Sequence, residues 1–404
     1  MAIIKINSGR NKGQYRVRYQ PIDPITGKKT SIPSVVCSTR KEAREAEKKM
    51  VADYQAGKYK HWDLLSQTLS GAFESYVKEE AQLGRWEEPT LKDWNYTLRL
   101  VKEYFNNTKL VDIDQKAMQR FARNYVQEHS TTVTKDSTVS RRLQHLRQFF
   151  KSLQDKGLEV NPVPERALSK FFRRDEFTVK REKKTFTADE IVRLEDQIYK
   201  ELSRARVNFV GSRLAILIAL QTGMRPQEIQ ALRWDCLITE DKYHVFEIDD
   251  AWSEKYHHFN GHLKSRPRGD KRRTLPIDER LYETLMEFKG KQAVLLSNNG
   301  IVNKGNLILL NLKDYRLCAE GYPIGQQNMN VKLKELCKKV NIDSKETINM
   351  YTCRHSVASR LANTPGMSYP WAAARMGHTV DMFLKTYVHA MQDQTSDMLN
   401  LIGK

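Results

Sequence analysis

The sequence predicts a multidomain, mainly α-helical chain with small β-sheets. Three observations carry that prediction. A strictly alternating run lies in the first sixty residues, apolar spacing of three and four dominates from about residue 65 to 172, and mixed helix and strand patterns follow. At 404 residues the chain is long enough for two or three domains, each with its own core. The pattern divides it into a three-stranded sheet plus helix over 1–62, a four-helix domain over 63–172, a basic linker over 173–186, and a mixed α+β domain with a C-terminal tail over 187–404.

Lys and Arg number 68 against 49 Asp and Glu, a net charge of +19. Such an excess attracts a polyanion at long range and gains affinity by releasing counterions. It is unevenly placed, because residues 1–60 hold 14 basic and 5 acidic side chains. Nucleic acid is the first partner this suggests, with ribosomal, membrane-surface and heparin-type surfaces still open. No apolar run approaches the roughly 18 residues that span a bilayer. The opening Met1-Ala2-Ile3-Ile4-Lys5-Ile6 turns polar without a signal core or cleavage site, so a cytoplasmic protein without a membrane partner is expected. Cys37, Cys236, Cys318, Cys337 and Cys353 are odd in number and scattered, which fits reduced, buried thiols rather than zinc or a disulfide framework.

In the first domain, Gln14-Tyr15-Arg16-Val17-Arg18-Tyr19-Gln20 places Tyr15, Val17 and Tyr19 on one face and Arg16 and Arg18 on the other. This predicts a half-buried strand with a cationic face suited to DNA. Turns at 11–13 and 23–27 and a β-prone run reaching Cys37 complete a small antiparallel sheet. Thr39 with Glu42 forms a capping box opening a helix to about Gln55, before Gly57. An adaptor whose charges are merely solvated fits the same pattern.

Helical spacing then runs through Phe73, Tyr76 and Val77, and through Trp94, Leu98, Val101, Tyr104 and Phe105. Two more helices are predicted over about 114–128 and 136–157. The last carries Arg141, Arg142, Arg147 and Lys151 beside an apolar stripe, which suits a helix lying on a phosphate backbone and equally a solvated basic face. Asn161-Pro162-Val163-Pro164 ends the helical pattern, and the charged stretch 172–184 reads as a linker.

Thr187-Ala188-Asp189-Glu190 opens the last domain with a second capping box. The run Leu214-Ala215-Ile216-Leu217-Ile218-Ala219-Leu220 is apolar all round and predicts a buried helix ending at Gly223. Arg225 then sits on a turn before the helix that Pro226 opens, where an anion is favoured, although a surface arginine at a helix start fits equally. Gly261–Ser265 and Lys271–Ile277 read as two strands of a hairpin with Lys264 near its tip. That lysine can reach into a cleft, or the hairpin, with Lys271 and Arg272, simply grips a backbone. His257, His258 and His262 are broken by Phe259-Asn260-Gly261 and lack a completing ligand set, so no metal is expected. Arg354, His378 and Tyr387 follow in order. Together, two arginines, a lysine, a histidine and a tyrosine can hold a phosphodiester, attack it with a phenolate and protonate the leaving alkoxide, without a cofactor. With 17 tyrosines in the chain, Tyr387 alone decides nothing.

The order and context of these residues resemble the tyrosine recombinases of the phage integrase family. Thr222-Gly223-Met224-Arg225-Pro226-Gln227-Glu228-Ile229 through Arg233-Trp234 is similar to that family's first arginine box. Arg354-His355, Gly377-His378 and Tyr387 are similar to its second, and Lys264 precedes Arg273-Thr274-Leu275-Pro276-Ile277 much as its hairpin lysine does. The motifs span about 187–390, and the layout before them is similar to integrases of temperate phages and conjugative transposons, which carry an arm-site domain and a helical core-binding domain. The resemblance implies that Tyr387 forms a 3′-phosphotyrosyl link, Arg225 and Arg354 clamp the phosphate, and Lys264 protonates the leaving oxygen. It further implies that His378 and Tyr351 hydrogen-bond the phosphate, Glu228 supports the Arg225 turn, and His355 supports the site from behind. The implied partners are double-stranded DNA at core and arm attachment sites, a homotetramer working through a Holliday junction, and accessory DNA-bending or directionality proteins. The tail 391–404, with Met398, Leu399, Leu401 and Ile402, would dock on a neighbour or on its own domain. One position departs from the pattern: Tyr351 stands where the family usually has histidine, and a phenol cannot act as an acid or base near neutral pH as imidazole can. Two rival readings stand beside this one, a type IB topoisomerase-like enzyme and a non-catalytic DNA-binding regulator.

Overall fold

Val17 is fully buried between exposed Arg16 and Arg18, as alternation requires of a strand with one face on a core. Its strand, β2 (Tyr15–Arg18), lies between β1 (Ala2–Lys5) and β3 (Val35–Cys37) in an antiparallel sheet. Helix α1 (Arg40–Gln55) contributes Ala43 and Met50 to a small core shared with Val17, Ile32 and Cys37. Glu42 donates its N–H to Thr39 Oγ1 (3.2 Å), while its carboxylate accepts from the Ser38 N–H (3.0 Å), one residue before the predicted position. The computed structural model describes residues 2–22, 29, 32–55, 67–156, 158–178, 184–264, 266–342 and 348–388. The turn at 23–27, Gly57, Gly157, Ser265 and the tail 391–404 lie outside the described residues.

The helical pattern of the next segment resolves into α2 (Leu69–Gln82), α3 (Glu88–Phe105), α4 (Gln115–Glu128), α5 (Thr138–Gln154) and a short α6 (Ala167–Phe171). Phe73, Trp94, Val101, Phe121, Leu146 and Phe149 form their core. Trp86, Trp94 and His145 stack in sequence, with ring centroids 4.4 and 4.0 Å apart. The α5 arginines do not share one face. Arg142 is only 2% exposed and bonds to the Asp93 carboxylate and carbonyl and to Thr97, because its position falls on the apolar stripe and its charge needs a partner there. The expectation that Arg142 contacts DNA is therefore corrected.

Residues 173–178 of the predicted linker continue the first unit. Phe172 is buried, Glu176 pairs with Arg123 (3.0 Å), and Phe177 bridges to Val133. The chain divides into two compact units at Met1–Arg181 and Glu182–Lys404.

The second unit opens with α7 (Ala188–Leu202), whose predicted capping box forms in both directions between Thr187 and Glu190. Helix α8 (Gly211–Thr222) runs through the core, with every residue from Leu214 to Leu220 buried, and leads into α9 (Pro226–Gln230). Strands β4 (Leu237–Glu240) and β5 (Tyr243–Ile248) follow, with a small hairpin of β6 (Trp252–Ser253) and β7 (His258–Phe259). Strand β8 (Arg272–Arg273) pairs with β5, with Ile248 opposite Arg272. The predicted hairpin between Gly261–Ser265 and Lys271–Ile277 is thus corrected. Gly261, at φ +72°, donates its N–H to Asp250 (2.7 Å), which turns the chain and leaves β5 as the ladder partner. Helices α10 (Glu279–Asn298), α11 (Tyr315–Ala319), α12 (Gln326–Lys339), α13 (Met350–Ala362), α14 (Tyr369–Met376) and α15 (Val380–Tyr387) complete the unit. Helix α13 packs on α8, α14 and α15 through Val357, Ala358, Ala372, Met376 and Phe383. All five cysteines are free and buried. Among the described residues no helix is long and apolar enough to cross a membrane.

Candidate active site

Helix α8 ends at Gly223, whose left-handed φ of +64° turns the chain so that Arg225 becomes the N-cap of α9. An added Cβ at Gly223 would meet the Met376 methyl at 2.7 Å and Val357 Cβ at 3.1 Å, so tight packing adds to the left-handed φ that favours glycine. Glu228, one turn into α9, accepts from the Arg225 N–H (2.9 Å) and from its guanidinium (2.7 Å). The side chain of Arg225 is thereby fixed from its own backbone.

Three arginines converge on the C-terminal end of α14. Arg272 donates to the Arg375 carbonyl, Arg354 to the Met376 carbonyl (2.6 Å) and Arg225 to the Gly377 carbonyl (3.0 Å). These are carbonyls a helix leaves unsatisfied at its C-terminus, where its dipole is negative, so they suit cations. Arg354 is further held by the Gly223 carbonyl (2.7 Å), the corresponding end of α8. Gly377 is left-handed (φ +65°), and an added Cβ would sit 2.8 Å from Arg272 Nε.

The charges do not balance. Glu228 also binds Arg272 (2.6 Å), so one carboxylate, 2% exposed, serves three guanidinium groups, an excess of two positive charges. Burial alone would raise the Glu228 pKa, but the charges of Arg272, Arg225 and Arg354 hold it down to about 2. Burial, then the neighbouring Arg225, lowers Arg354 to about 9. His378 accepts from Arg354 through Nε2, and burial followed by the Arg354, Arg225 and Arg272 charges holds it neutral, with a pKa of about 3. Its Nδ1 is buried without a partner, as is Arg272 Nε. An uncompensated, preorganised cationic site of this kind is made for an anion.

Tyr387, the last residue of α15, is 7% exposed, with its ring stacked 5.5 Å from that of His378. Its hydroxyl lies 3.1 Å from His355 Nδ1. Burial raises the phenol pKa, opposed by the charges of Arg354 and Arg225. Arg354 and His355 are adjacent on α13, so one helix presents a guanidinium to the cluster and an imidazole to the tyrosine.

Of the residues singled out in the sequence, Arg225, Glu228, Arg354, His355, His378 and Tyr387 meet here. Tyr351 stands beside them, its hydroxyl donating to Gln227 (3.1 Å). Lys264 does not join them: it is exposed on a turn and makes none of the cluster's hydrogen bonds. Arg272, expected at the DNA surface with Lys271, is instead a buried member of the cluster, and that expectation is corrected. Along Lys271-Arg272-Arg273-Thr274 burial alternates, with Arg272 and Thr274 inward and Lys271 and Arg273 exposed. Period two was the available signal, masked by a run of three basic residues. Arg16, Arg18 and Arg141 are exposed, Lys271 lies 3.5 Å from Glu247, and Arg147 is half-buried and donates to the Val163 carbonyl (2.8 Å). Gln227 lies inside the first arginine box but was not singled out there as a site residue.

In comparisons with known proteins, residues 184–394 match the phage integrase family and residues 68–170 match the phage integrase SAM-like domain. The chain is similar in structure to the Tn1549 transposon integrase in complex with transposon right end DNA, at 19% identity and a TM-score of 0.61, covering 84% of this chain and 100% of that one. It is also similar to the XerH site-specific recombinase bound to its difH substrate (14% identity, TM-score 0.57, 83% and 85% covered). A lambda integrase dimer bound to a core site is similar over 94% of this chain and 93% of that one, at 16% identity and a TM-score of 0.52. At these identities the likeness is one of fold. No curated protein sequence matches the chain.

Proposed function

The chain belongs to the phage integrase family, and from that premise we infer that it is a site-specific DNA recombinase that cuts and rejoins strands through Tyr387. The observation that carries this reading is the seat of Tyr387, whose hydroxyl is held against His355 at the edge of a buried arginine cluster with two uncompensated charges. Such a cluster would take the scissile phosphate. Arg225 and Arg354 would then face its non-bridging oxygens, where charge grows in the pentavalent transition state. Glu228 orients Arg225, and His378 would turn a ring N–H to the phosphate. Attack by Tyr387 forms a 3′-phosphotyrosine and releases a 5′-hydroxyl. The bond energy is retained, so rejoining is the reverse reaction on a new strand end.

Lys264 serves as general acid in this reading, reaching the leaving oxygen from its exposed turn once DNA is bound. Tyr351 would reach the phosphate by exchanging its bond to Gln227. Exposed Arg16 and Arg18 would grip arm-site DNA, and Arg141, Arg147 and Lys271 core-site DNA, by backbone contact. The three-stranded sheet with its helix would then be an arm-site module, and the bundle over 68–170 the core-binding domain. A lambda integrase of the same fold forms a tetramer on a Holliday junction. The same assembly, with accessory DNA-bending or directionality proteins, is proposed here for integrating or excising a mobile element.

The test is a labelled suicide duplex spanning the joined ends of the element that encodes the chain, incubated in EDTA without ATP. A covalent protein–DNA band is expected from the native protein and none from Tyr387→Phe. Specific binding without a covalent band would instead make the chain a regulator.

A further inference from the structure

Removal of the proton from Tyr387 is the step for which the arginine cluster supplies no agent. Arg225, Arg272 and Arg354 lower the energy of a phenolate but cannot accept a proton. Glu228 is fully engaged by Arg225 and Arg272, and its carboxyl stays ionised with little basicity. Tyr351 is itself a phenol, and its hydroxyl is spent on Gln227. The Nε2 of His378 is taken by Arg354. What remains in hydrogen-bond reach of the reacting oxygen is His355, with Nδ1 at 3.1 Å. The contact is built in. His355 is half-buried in the middle of α13, next to the anchored Arg354, and Tyr387 is held by Phe383 and His378, whose rings lie 5.6 and 5.5 Å away.

The geometry points to His355 as the catalytic base that takes the proton from Tyr387 as the phenolic oxygen attacks phosphorus. The inference rests on Tyr387 being the nucleophile. In the step, the Tyr387 O–H proton passes to Nδ1 of an imidazole that carries its one proton on Nε2, giving an imidazolium. The Oη–P bond forms, the P–O5′ bond breaks, and the leaving oxygen takes a proton from Lys264. On rejoining, the 5′-hydroxyl gives its proton to the Lys264 amine as it attacks phosphorus, the Oη–P bond breaks, and His355 returns its proton to the Tyr387 oxygen. The charges of Arg354 and Arg225 favour the phenolate that this transfer creates.

Two variants separate a base from a positioning group. In His355→Asn the amide oxygen replaces Nδ1 as a hydrogen-bond acceptor but cannot hold the proton; His355→Ala removes both. Cleavage is followed on the suicide duplex above, and on the same duplex with a bridging sulfur in place of the scissile 5′ oxygen, a leaving group that needs no acid. The expected result is a loss of about 100-fold or more in cleavage rate for both variants on both substrates, as for removal of a general base. Added imidazole should restore His355→Ala, and DNA binding should be unchanged. In Lys264→Ala the sulfur substrate should recover cleavage. Cleavage by His355→Asn within about threefold of native overturns the proposal and leaves His355 a positioning role. Recovery of either His355 variant by the sulfur substrate overturns it too, because His355 would then act on the leaving group. A covalent band from Tyr387→Phe would overturn the nucleophile reading itself, independently of the His355 result.

Discussion

Replacing Glu228 by glutamine keeps the size of the side chain and removes the single negative charge that three guanidinium groups share. The native carboxylate is 2% exposed and accepts from the Arg225 backbone, the Arg225 side chain and Arg272. A glutamine has one acceptor oxygen for those donors and turns two N–H donors toward them. The native Glu228 pKa of about 2, against 4.5 for an unperturbed glutamate, corresponds to about 3 kcal/mol of stabilisation of the charged form. That agrees with the ~3–5 kcal/mol expected when one partner of a buried ion pair is lost. For a unit of this size, about 3 kcal/mol lowers the melting temperature by ~6–12 °C. The sign of the pH dependence follows from the depressed folded-state pKa. The stabilisation is complete above about pH 4.5 and is lost as pH falls through about 2. Calorimetry of the full-length native and Glu228→Gln proteins should therefore show a large, constant difference above about pH 5 that shrinks in acid. A difference below about 0.5 kcal/mol, or one unchanged between pH 7 and pH 3, would refute the claim that this carboxylate holds the arginine cluster together.

Arg142→Leu should destabilise the helical bundle by ~1–3 kcal/mol, because it removes the cation bonded to the Asp93 carboxylate and leaves the Asp93 carbonyl and Thr97 without that donor, whereas Arg141→Ala should stay within about 0.5 kcal/mol of native and instead weaken DNA binding with a smaller salt slope. Urea denaturation and salt-titrated binding measure the two. Gly377→Ala should cost ~1–3 kcal/mol from its left-handed φ and displace Arg272, lowering covalent-complex formation, which the suicide duplex reads.

Periodicity made the outlines of the fold legible. The α7 capping box, the all-apolar stretch of α8 and the alternation around Val17 are local effects, in which a few neighbouring side chains settle the backbone. The chemistry-bearing residues were legible for another reason: the order Arg225, Arg354, His378, Tyr387 persists in sequence even though the residues come from four separate segments. What the sequence could not decide is the facing of single charges. Arg142 and Arg272 read as surface cations because arginine is usually exposed, yet each is itself buried and found a carboxylate partner, in half-buried Asp93 and buried Glu228, that lies far away along the chain. The pairing of β8 with β5 likewise depended on a turn built by the distant Asp250 carboxylate. Only the tertiary structure aligned the carbonyls of Arg375, Met376 and Gly377 with three guanidinium groups, and only it brought His355 against the Tyr387 hydroxyl, 32 residues on. The physical reason is common to all of these. Propensity and pattern act over a turn of helix or a pair of strands, whereas the partner of a buried charge is chosen by whichever part of the chain packs against it.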